Sequence, residues 1–235
     1  MPRVKLSRFR VHQPDPDALA AYMLAYPGYE LHFQPETLTP ITADALFGRA
    51  CPLVIDFGCG RGDFVIGLAQ DQPDACFVGI DFHQKSLWDA VNKASAAGVT
   101  NLRFLHGDIR RMLKLAPDAS VSEAYMLFPP PYLKPSKLYK DPLPEDTLRE
   151  IARLLEPDAS FHFVTDSAEY FDAKRALIAD SGWFEVVATS QGFEGGKTYF
   201  QQFWEKRNIE SRRLEAHRTH ALVVPHPEQD QRADP

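Results

Sequence analysis

The sequence predicts a doubly wound α/β fold with a mostly parallel sheet of seven strands, the last of them antiparallel. Short apolar runs alternate with helical patterns from residue 52 to residue 190, which is typical of a parallel sheet covered by helices. The last two predicted strands are joined by only GFEGG (192–196). Because this connection is too short for a crossover helix, the final pair is predicted to be antiparallel.

Seven strands and three helices are predicted within this core. The helices lie at 83–98, 144–157 and 168–182, where Gly98 ends the first helix and Pro144 suits the first turn of the second. The strands are PLVIDF (52–57), CFVGID (76–81), NLRFLHG (101–107), VSEAYMLF (121–128), SFHFVTD (160–166), FEVVATS (184–190) and KTYFQQFWEK (197–206).

The chain divides into three predicted regions. Residues 1–45 form a basic N-terminal extension that contains a helix-like stretch, DALAAYMLAY (17–26). Residues 46–224 form the α/β domain. The tail at 225–235, PHPEQDQRADP, is too poor in apolar residues to bury a core, so we expect it to be disordered.

The composition is that of a soluble globular protein. Hydrophobic residues make up 44% of the chain and charged residues 25%, and the sequence contains no run of 18 apolar residues that could cross a membrane. The start, MPRVKLSRFR, lacks the apolar segment of a secretory signal. Three cysteines form neither a CxxC pair nor an even-numbered framework, which favours the reducing cytoplasm.

Charge and histidine spacing bear on possible partners. The net charge of −6 argues weakly against nucleic acid, because phosphate binding needs Lys and Arg. His217 and His220 are three residues apart and His162 lies within a predicted strand, but no further ligand is spaced to complete a metal site with them. No metal site is therefore predicted. The basic residues are nevertheless clustered, which leaves RNA binding open. The clusters are Arg3, Lys5, Arg8 and Arg10, then Lys134, Lys137 and Lys140, then Lys206, Arg207, Arg212, Arg213 and Arg218.

A glycine turn, DFGCGRGDF (56–64), follows the first core strand. Gly58, Gly60 and Gly62 allow a tight backbone turn and the close approach of a ligand. Ligands of open α/β sheets lie outside the carboxyl ends of the strands, where this turn falls. A GxG pattern alone also fits a simple tight turn.

Two acidic residues on the neighbouring strands strengthen the prediction of a ligand site. Asp81 ends the second core strand, where a carboxylate can accept hydrogen bonds from both ribose hydroxyls. Asp108 follows the third strand, where a carboxylate can accept from an exocyclic adenine amine. A dinucleotide site requires GxGxxG, whereas Asp63 stands three residues after Gly60 and would repel a pyrophosphate. Because S-adenosylmethionine carries a sulfonium and an amine but no phosphate, it suits this acidic pocket better than a nicotinamide cofactor.

The stretch LFPPPYLKPSK (127–137) follows the fourth core strand, at the same edge of the sheet. PPPY also matches the PPxY peptides that WW domains bind as polyproline helices, although its place between a strand and a helix favours a structural role. The loop resembles the NPPY loops of enzymes that methylate amino groups. Pro129 replaces the polar residue that those enzymes use, which disfavours methylation of adenine or glutamine.

Because of these motifs, the chain resembles the bacterial tRNA (guanine-N7)-methyltransferases from about residue 46 to about residue 207. The similar stretches are VIDFGCGRG, GIDFH (79–83), LFPPPY with its basic continuation, the pair Thr165 and Asp166, and Thr198-Tyr199-Phe200 in the last strand. The resemblance implies a cytoplasmic class I, Rossmann-like methyltransferase domain that uses S-adenosylmethionine and modifies tRNA.

The resemblance also implies roles for individual residues. Substrate contacts would come from Tyr132, which could stack on a flipped purine, from Lys134, and from Asp166 and Thr198 at the target guanine. The remaining substrate positions are Tyr199, Phe200 and Gln201. The predicted cofactor contacts are Asp56, Gly58, Gly60, Gly62, Asp81, Phe82, Asp108, Ile109 and Phe128.

The chain departs from the family pattern at the loop LFPPPYLKPSK (127–137), which we call the substrate loop. The family's F-P/S-D-P-W has its Asp replaced by Pro130 and its Trp by Tyr132, and Gln201 replaces the Glu of T-x-F/Y-E. Guanine N7 carries a free lone pair and no proton, so methyl transfer needs alignment rather than a general base, and no catalytic residue is assigned. Loss of the acid is expected to slow the reaction or change its target.

Two other functions remain open. One is a methyltransferase that acts on another RNA site or on a small molecule, which the thinned basic loop favours. The other is a catalytically weak relative that binds the cofactor or tRNA as a scaffold. The complete set of cofactor acids favours catalysis over a scaffold.

Overall fold

The computed structural model describes residues 10–191 and 210–221 and contains one eight-stranded sheet. The strand order is β1-β4-β3-β2-β5-β6-β8-β7; neighbouring strands from β1 to β6 are parallel, and β8 lies antiparallel between β6 and β7. The strands are β1 (Met23–Ala25), β2 (Leu53–Phe57), β3 (Cys76–Asp81), β4 (Leu102–His106), β5 (Val121–Leu127), β6 (Leu155–Thr165), β7 (Phe184–Gln191) and β8 (Arg212–Arg218).

Helices cover both faces of the sheet, as the alternating pattern predicts. They are α1 (Pro16–Tyr22), α2 (Gly28–Phe33), α3 (Ala43–Phe47), α4 (Asp63–Asp71), α5 (Gln84–Ala97), α6 (Ile109–Met112), α7 (Glu145–Leu154) and α8 (Ala168–Asp180). Residues of α4 and α5 form one buried cluster with the sheet, and residues of α2, α3, α7 and α8 form the other. None of the described helices is long and apolar enough to span a membrane.

The stretch predicted as one helix at 17–26 is a helix followed by an edge strand. α1 ends at Tyr22, and β1 then pairs in parallel with Phe104–His106 of β4. Tyr26, only 2% exposed, continues this pairing through its amide, which donates to the carbonyl of His106 at 2.8 Å. Part of the N-terminal extension thus belongs to the sheet and its core, and the described residues contribute eight strands to the sheet, one of them from this extension.

The sequence does not predict the last described strand, β8. The predicted strand at 197–206 and the tail at 225–235 lie outside the described residues. β8 (RRLEAHR) pairs with both β6 and β7, and only its Leu214 and Ala216 are buried. The antiparallel end of the sheet is confirmed, and its central strand is charged and buried on one side only.

A disulfide joins Cys51 and Cys76 across the amino ends of β2 and β3. The spacing of the cysteines did not predict this pair. Because β2 and β3 run parallel in register from Leu53 opposite Cys76, residues 25 positions apart in the sequence meet there. The bond lies at the edge of the sheet opposite to the predicted cofactor site.

Candidate active site

The glycine turn adopts the backbone conformation that its sequence indicates. Gly58, Gly60 and Gly62 have φ values of 84°, 55° and 74°, a region that residues with a Cβ rarely enter. Gly62 is also needed for packing, because a Cβ there would lie 2.8 Å from Cβ of Ala90 on α5. The turn therefore places its backbone beside β3 and starts α4 close against α5.

Asp81 connects the glycine turn to the end of β3. One carboxylate oxygen accepts from the amide of Gly60 at 2.9 Å, and the other accepts from the amide of His83 at 2.7 Å. Burial raises the pKa of Asp81, while these two backbone donors oppose the rise. The side chain is thus held in a fixed orientation at the place where the sequence predicts a ribose-binding carboxylate.

Asp56 is the most deeply buried acid at this edge. It is 3% exposed, and burial together with the charge of Asp81 raises the pKa of Asp56 to about 8. Its Oδ1 atom is buried without a hydrogen-bond partner among the described residues. A buried polar atom without a partner is costly, so this carboxyl suits a ligand that brings a cation or a donor to it. The amine and sulfonium of S-adenosylmethionine fit that requirement.

Asp63 is part of an ionic network that sequence reasoning missed. It lies 2.7 Å from the amine of Lys93, which also contacts Asp89 at 2.8 Å, and Asp89 binds Arg61 at 2.6 Å. Asp63 is therefore a paired helix-start residue rather than an isolated negative charge at the turn. This pairing weakens the argument that Asp63 repels a pyrophosphate, and the acids Asp56 and Asp81 now carry the preference for a phosphate-free cofactor.

The residues predicted to contact the adenine are more exposed to solvent than Asp56 and Asp81. Asp108 caps α6 by accepting from the amide of Arg110 at 3.0 Å, and its side chain is 44% exposed. Phe82 is 69% exposed beside Asp81, while Ile109 packs against the core from the first turn of α6. These residues lie at the carboxyl ends of the adjacent parallel strands β3 and β4.

The substrate loop leaves β5 through an unusual backbone conformation. Phe128 has a φ of 53° and is buried, and its amide donates to the carbonyl of Val164 at 2.7 Å. A non-glycine residue in this region stores strain, which is found preferentially at functional sites. Pro129 is buried, whereas Pro130 and Pro131 are exposed, so only part of the PPPY segment is enclosed by the core.

The other predicted substrate residues differ in how deeply they are buried. Tyr132 is half-buried and Lys134 is exposed, both on the loop after β5. Asp166 is half-buried at the end of β6, and burial raises its pKa. Thr165 is fully buried and accepts from the amide of Ser167 at 3.2 Å, which gives it a structural role. Thr198, Tyr199, Phe200 and Gln201 lie outside the described residues.

A second network that sequence reasoning missed holds the far end of the substrate loop. Asp141 and Lys174 form an ion pair with side chains 8% and 9% exposed. Tyr170 donates to Asp141 at 2.6 Å, and Lys174 donates to the carbonyl of Leu143 at 2.7 Å. Because these partners lie about thirty residues apart, no local pattern could reveal the pair.

Within the described residues, no group of three His, Cys, Asp or Glu side chains could hold a metal ion. His162 instead contacts Glu123 at 2.8 Å and stacks on Tyr125.

The sheet order, the glycine turn and the buried acids at the carboxyl edge define a methyltransferase of the doubly wound α/β class. Residues 50–216 match a family model described as "Putative methyltransferase". The chain belongs to this methyltransferase family, and the resemblance stated from its motifs is confirmed.

Curated relatives support this assignment, and a solved structure shares the fold. A tRNA (guanine-N(7)-)-methyltransferase of Rubrobacter xylanophilus is 35% identical over 88% of this chain and 95% of that protein. One of the same name from Chloroherpeton thalassium is 32% identical over 88% of this chain and 94% of that protein. The crystal structure of the 16S rRNA methyltransferase KamB shares the fold, with a TM-score of 0.57 and 19% identity over 76% of this chain and 94% of that one.

Proposed function

We propose that this protein binds S-adenosylmethionine and transfers its methyl group to N7 of a guanine in tRNA, in the cytoplasm. The observation that carries the proposal is the likeness, along nearly the whole chain, to relatives named for that reaction. When bound, the cofactor would supply an electrophilic methyl group on its sulfonium.

The described acids would hold the cofactor. Asp56 would offer its unpartnered Oδ1 atom to the cationic end, and the fixed carboxylate of Asp81 would accept from the ribose hydroxyls. Asp108, with Phe82 and Ile109 beside these acids, would contact the adenine. Gly58, Gly60 and Gly62 would let the backbone approach the ligand, and Phe128 would close the site from β5.

The substrate loop would present the guanine. Tyr132 would stack on the base and Lys134 would contact the RNA, while Asp166 and the residues Thr198, Tyr199, Phe200 and Gln201 would contact the target nucleotide. Since N7 has a lone pair and no proton, these residues only need to align it with the methyl group.

Pro130 supports a second candidate function. An exposed proline stands where the family pattern has an acid, so the loop lacks a carboxylate that could orient a guanine. Methylation of another RNA site or of a small molecule would not need that carboxylate.

The proposed reaction can be tested with purified protein, isotopically labelled cofactor and bulk tRNA that lacks methylation. Nuclease digestion and mass spectrometry should detect labelled 7-methylguanosine, and Asp81→Ala should abolish most of it. Labelled methyl groups on another nucleoside would support the second candidate. Cofactor binding without any methylated RNA would contradict both RNA activities.

The cytoplasmic assignment follows from tRNA as substrate. The Cys51–Cys76 disulfide points the other way, because disulfides are rare in the reducing cytoplasm. A cytoplasmic protein can keep such a bond when the reduction potential of that one cysteine pair is low enough.

A further inference from the structure

Exposed aromatic residues are concentrated around α6. Six large apolar side chains are exposed in the described part of the chain, and four of them flank this short helix. Tyr29 and Phe33 of α2 are 61% and 63% exposed, and Leu138 and Tyr139 of the 3₁₀ segment Pro135–Lys140 are 50% and 70% exposed. Apolar side chains grouped in this way on a surface indicate an interaction site.

α6 joins these two pairs into one surface. Nη1 of Arg110 donates to the carbonyl of Tyr139 at 3.2 Å, which holds the 3₁₀ segment against α6. On the other side, Nη1 of Arg111 lies 3.8 Å from the Cβ position of Gly28, the first residue of α2. We define the α6 surface as α2, α6 and residues 135–140.

The charge of the α6 surface is positive although the whole chain has a net charge of −6. The amine of Lys140 lies 5.3 Å from the ring centre of Tyr139, so a cation and an aromatic face occur together. Glu30 and Asp108 are the acids on α2 and at the start of α6, and Asp108 is 3.7 Å from Arg110. The basic residues on the surface and beside it are Arg110, Arg111, Lys134, Lys137 and Lys140.

We infer that the α6 surface binds unpaired nucleotides of the RNA substrate outside the target base. Exposed aromatic rings offer stacking platforms that every base can use, and lysines and arginines beside them neutralise phosphates. A partner protein or a second copy of this acidic chain would not need this combination of rings and cations. This inference rests on the proposed RNA methyltransferase function.

The position of the α6 surface relative to the site supports this assignment. Asp108, the predicted adenine contact, is the cap of α6, and Lys134 and Tyr132 lie on the loop that leads into residues 135–140. The α6 surface thus adjoins both the predicted adenine contact and the predicted substrate loop.

The test uses the full-length protein and compares Tyr29→Ala/Phe33→Ala and Tyr139→Ala with three controls. Tyr29→Phe and Phe33→Tyr retain the rings, and Val187→Ala removes an exposed apolar group from β7, far from α6 in the sheet order. Affinity is measured by fluorescence anisotropy for a tRNA transcript, a single-stranded RNA and a duplex RNA. Calorimetry with S-adenosylhomocysteine and a thermal melt report the cofactor site and the fold.

The double alanine variant should lose about tenfold in affinity for tRNA and single-stranded RNA, because stacking of one base contributes about that much. Tyr139→Ala should act in the same direction, the three controls should match the parent, and cofactor affinity should stay unchanged in all variants. The loss should be much smaller for duplex RNA, whose bases are not available for stacking.

Three results would overturn the inference. Unchanged RNA affinity of the alanine variants, with a parent that methylates tRNA, would refute the α6 surface and leave the proposed function intact. A parent dimer that dissociates in the alanine variants at equal RNA affinity would assign the surface to a second copy. A parent that binds cofactor but no RNA would overturn both proposals together.

Discussion

At the scale of single residues, the two buried acids of the cofactor edge differ in their environment. Asp81 has a backbone donor on each carboxylate oxygen, whereas Asp56 keeps an oxygen with no partner among the described residues. The first acid is therefore held in place by the protein itself, whereas the second has an oxygen to which a ligand could bring a donor or a positive charge. Each acid leads to its own prediction.

Asp81→Ala should weaken binding of S-adenosylmethionine or its demethylated product by more than tenfold. The variant would lose the charged acceptors proposed for the ribose hydroxyls, each worth about 1.5–3 kcal/mol, and it releases the amide of Gly60 from its partner. Asp81→Asn, which keeps one acceptor oxygen, should lose less. Isothermal titration calorimetry that finds equal affinity for Asp81→Ala and the parent would refute the assignment.

Asp56 should make the folded protein less stable as the pH rises. Its pKa is raised in the folded state from 3.8 to about 8, so between these values the folded chain binds the proton more tightly than the unfolded chain. The resulting stabilisation is complete below about pH 4 and is lost as the pH rises through about 8, with a slope of at most about 1.4 kcal/mol per pH unit.

Asp56→Asn should remove this dependence. Urea unfolding at pH 6 and at pH 9 measures it, because the free energy of unfolding should fall more between the two pH values for the parent than for the variant. Equal decreases in the two proteins would show that Asp56 titrates normally.

Pro130→Asp should raise the formation of 7-methylguanosine on tRNA. An oriented carboxylate could hold the purine and offset the positive charge that develops on it, and one such contact is typically worth about 2.7–4 kcal/mol, of which a graft recovers a part. Because Pro130 is exposed, the substitution should not disturb the core. Single-turnover assays measure the gain, with Tyr132→Ala expected to lower parental activity. If Pro130→Asp abolishes a fast parental reaction, the loop acts through a different geometry.

At the scale of elements, the loop between β5 and α7 is held at both ends. Phe128 turns it away from β5 with a left-handed backbone, and the buried Asp141–Lys174 pair fixes its return to the core against α8. The middle of the loop, with Lys134, is exposed. A loop fixed in this way can present a substrate while only its central residues adjust.

Lys174→Met should destabilise the protein by about 3–5 kcal/mol, because Asp141 would remain buried without its cation. Asp141→Leu/Lys174→Met should recover part of this loss, since no unpaired charge remains. Arg175→Met on the exposed face of the same helix should change stability by less than about 0.5 kcal/mol.

Urea unfolding measures these differences, and steady-state assays of the double variant separate positioning from folding. We expect a raised KM for tRNA with unchanged affinity for cofactor. A double variant with the parental KM would show that the pair stabilises the fold without positioning the loop.

At the scale of the whole molecule, the two edges of the sheet have separate roles. The carboxyl edge carries the glycine turn, the buried acids and the substrate loop, while the disulfide lies at the amino edge between β2 and β3. Changes at the amino edge should therefore alter stability without altering the chemistry of the site.

Cys51→Ser should lower the stability of the oxidised protein by about 2–4 kcal/mol, because the cross-link restricts the unfolded chain. In the presence of dithiothreitol, the variant and the parent should unfold at nearly the same temperature, and cofactor affinity should be equal in both states. Thiol titration of the unfolded parent without reductant should find one free cysteine, Cys59. Three free thiols would show that the disulfide does not form in solution.

Features that depend on neighbours along the chain could be predicted before the structure was known. Apolar strands ended by turns predicted β2 to β5 and β7 within two residues, because the strand-helix period is a local property. The start of β6 was missed by five residues, since Leu155 to Glu156 continue the helical pattern of α7. The glycine turn could be predicted because backbone with positive φ favours glycine, so the turn is marked by closely spaced glycines. Asp81 could be predicted because it directly follows an apolar strand. The methyltransferase class could therefore be read before the fold was known.

Features that depend on residues distant in sequence became visible only in the folded chain. β1 is a three-residue strand that exists because β4 offers it an edge, and β8 is a charged strand defined by its pairing with β6 and β7. The Asp141–Lys174 pair, the Cys51–Cys76 disulfide and the α6 surface likewise join segments that the fold brings together. Such contacts leave no period and no local propensity in the sequence, because they form only after the fold has brought distant segments together.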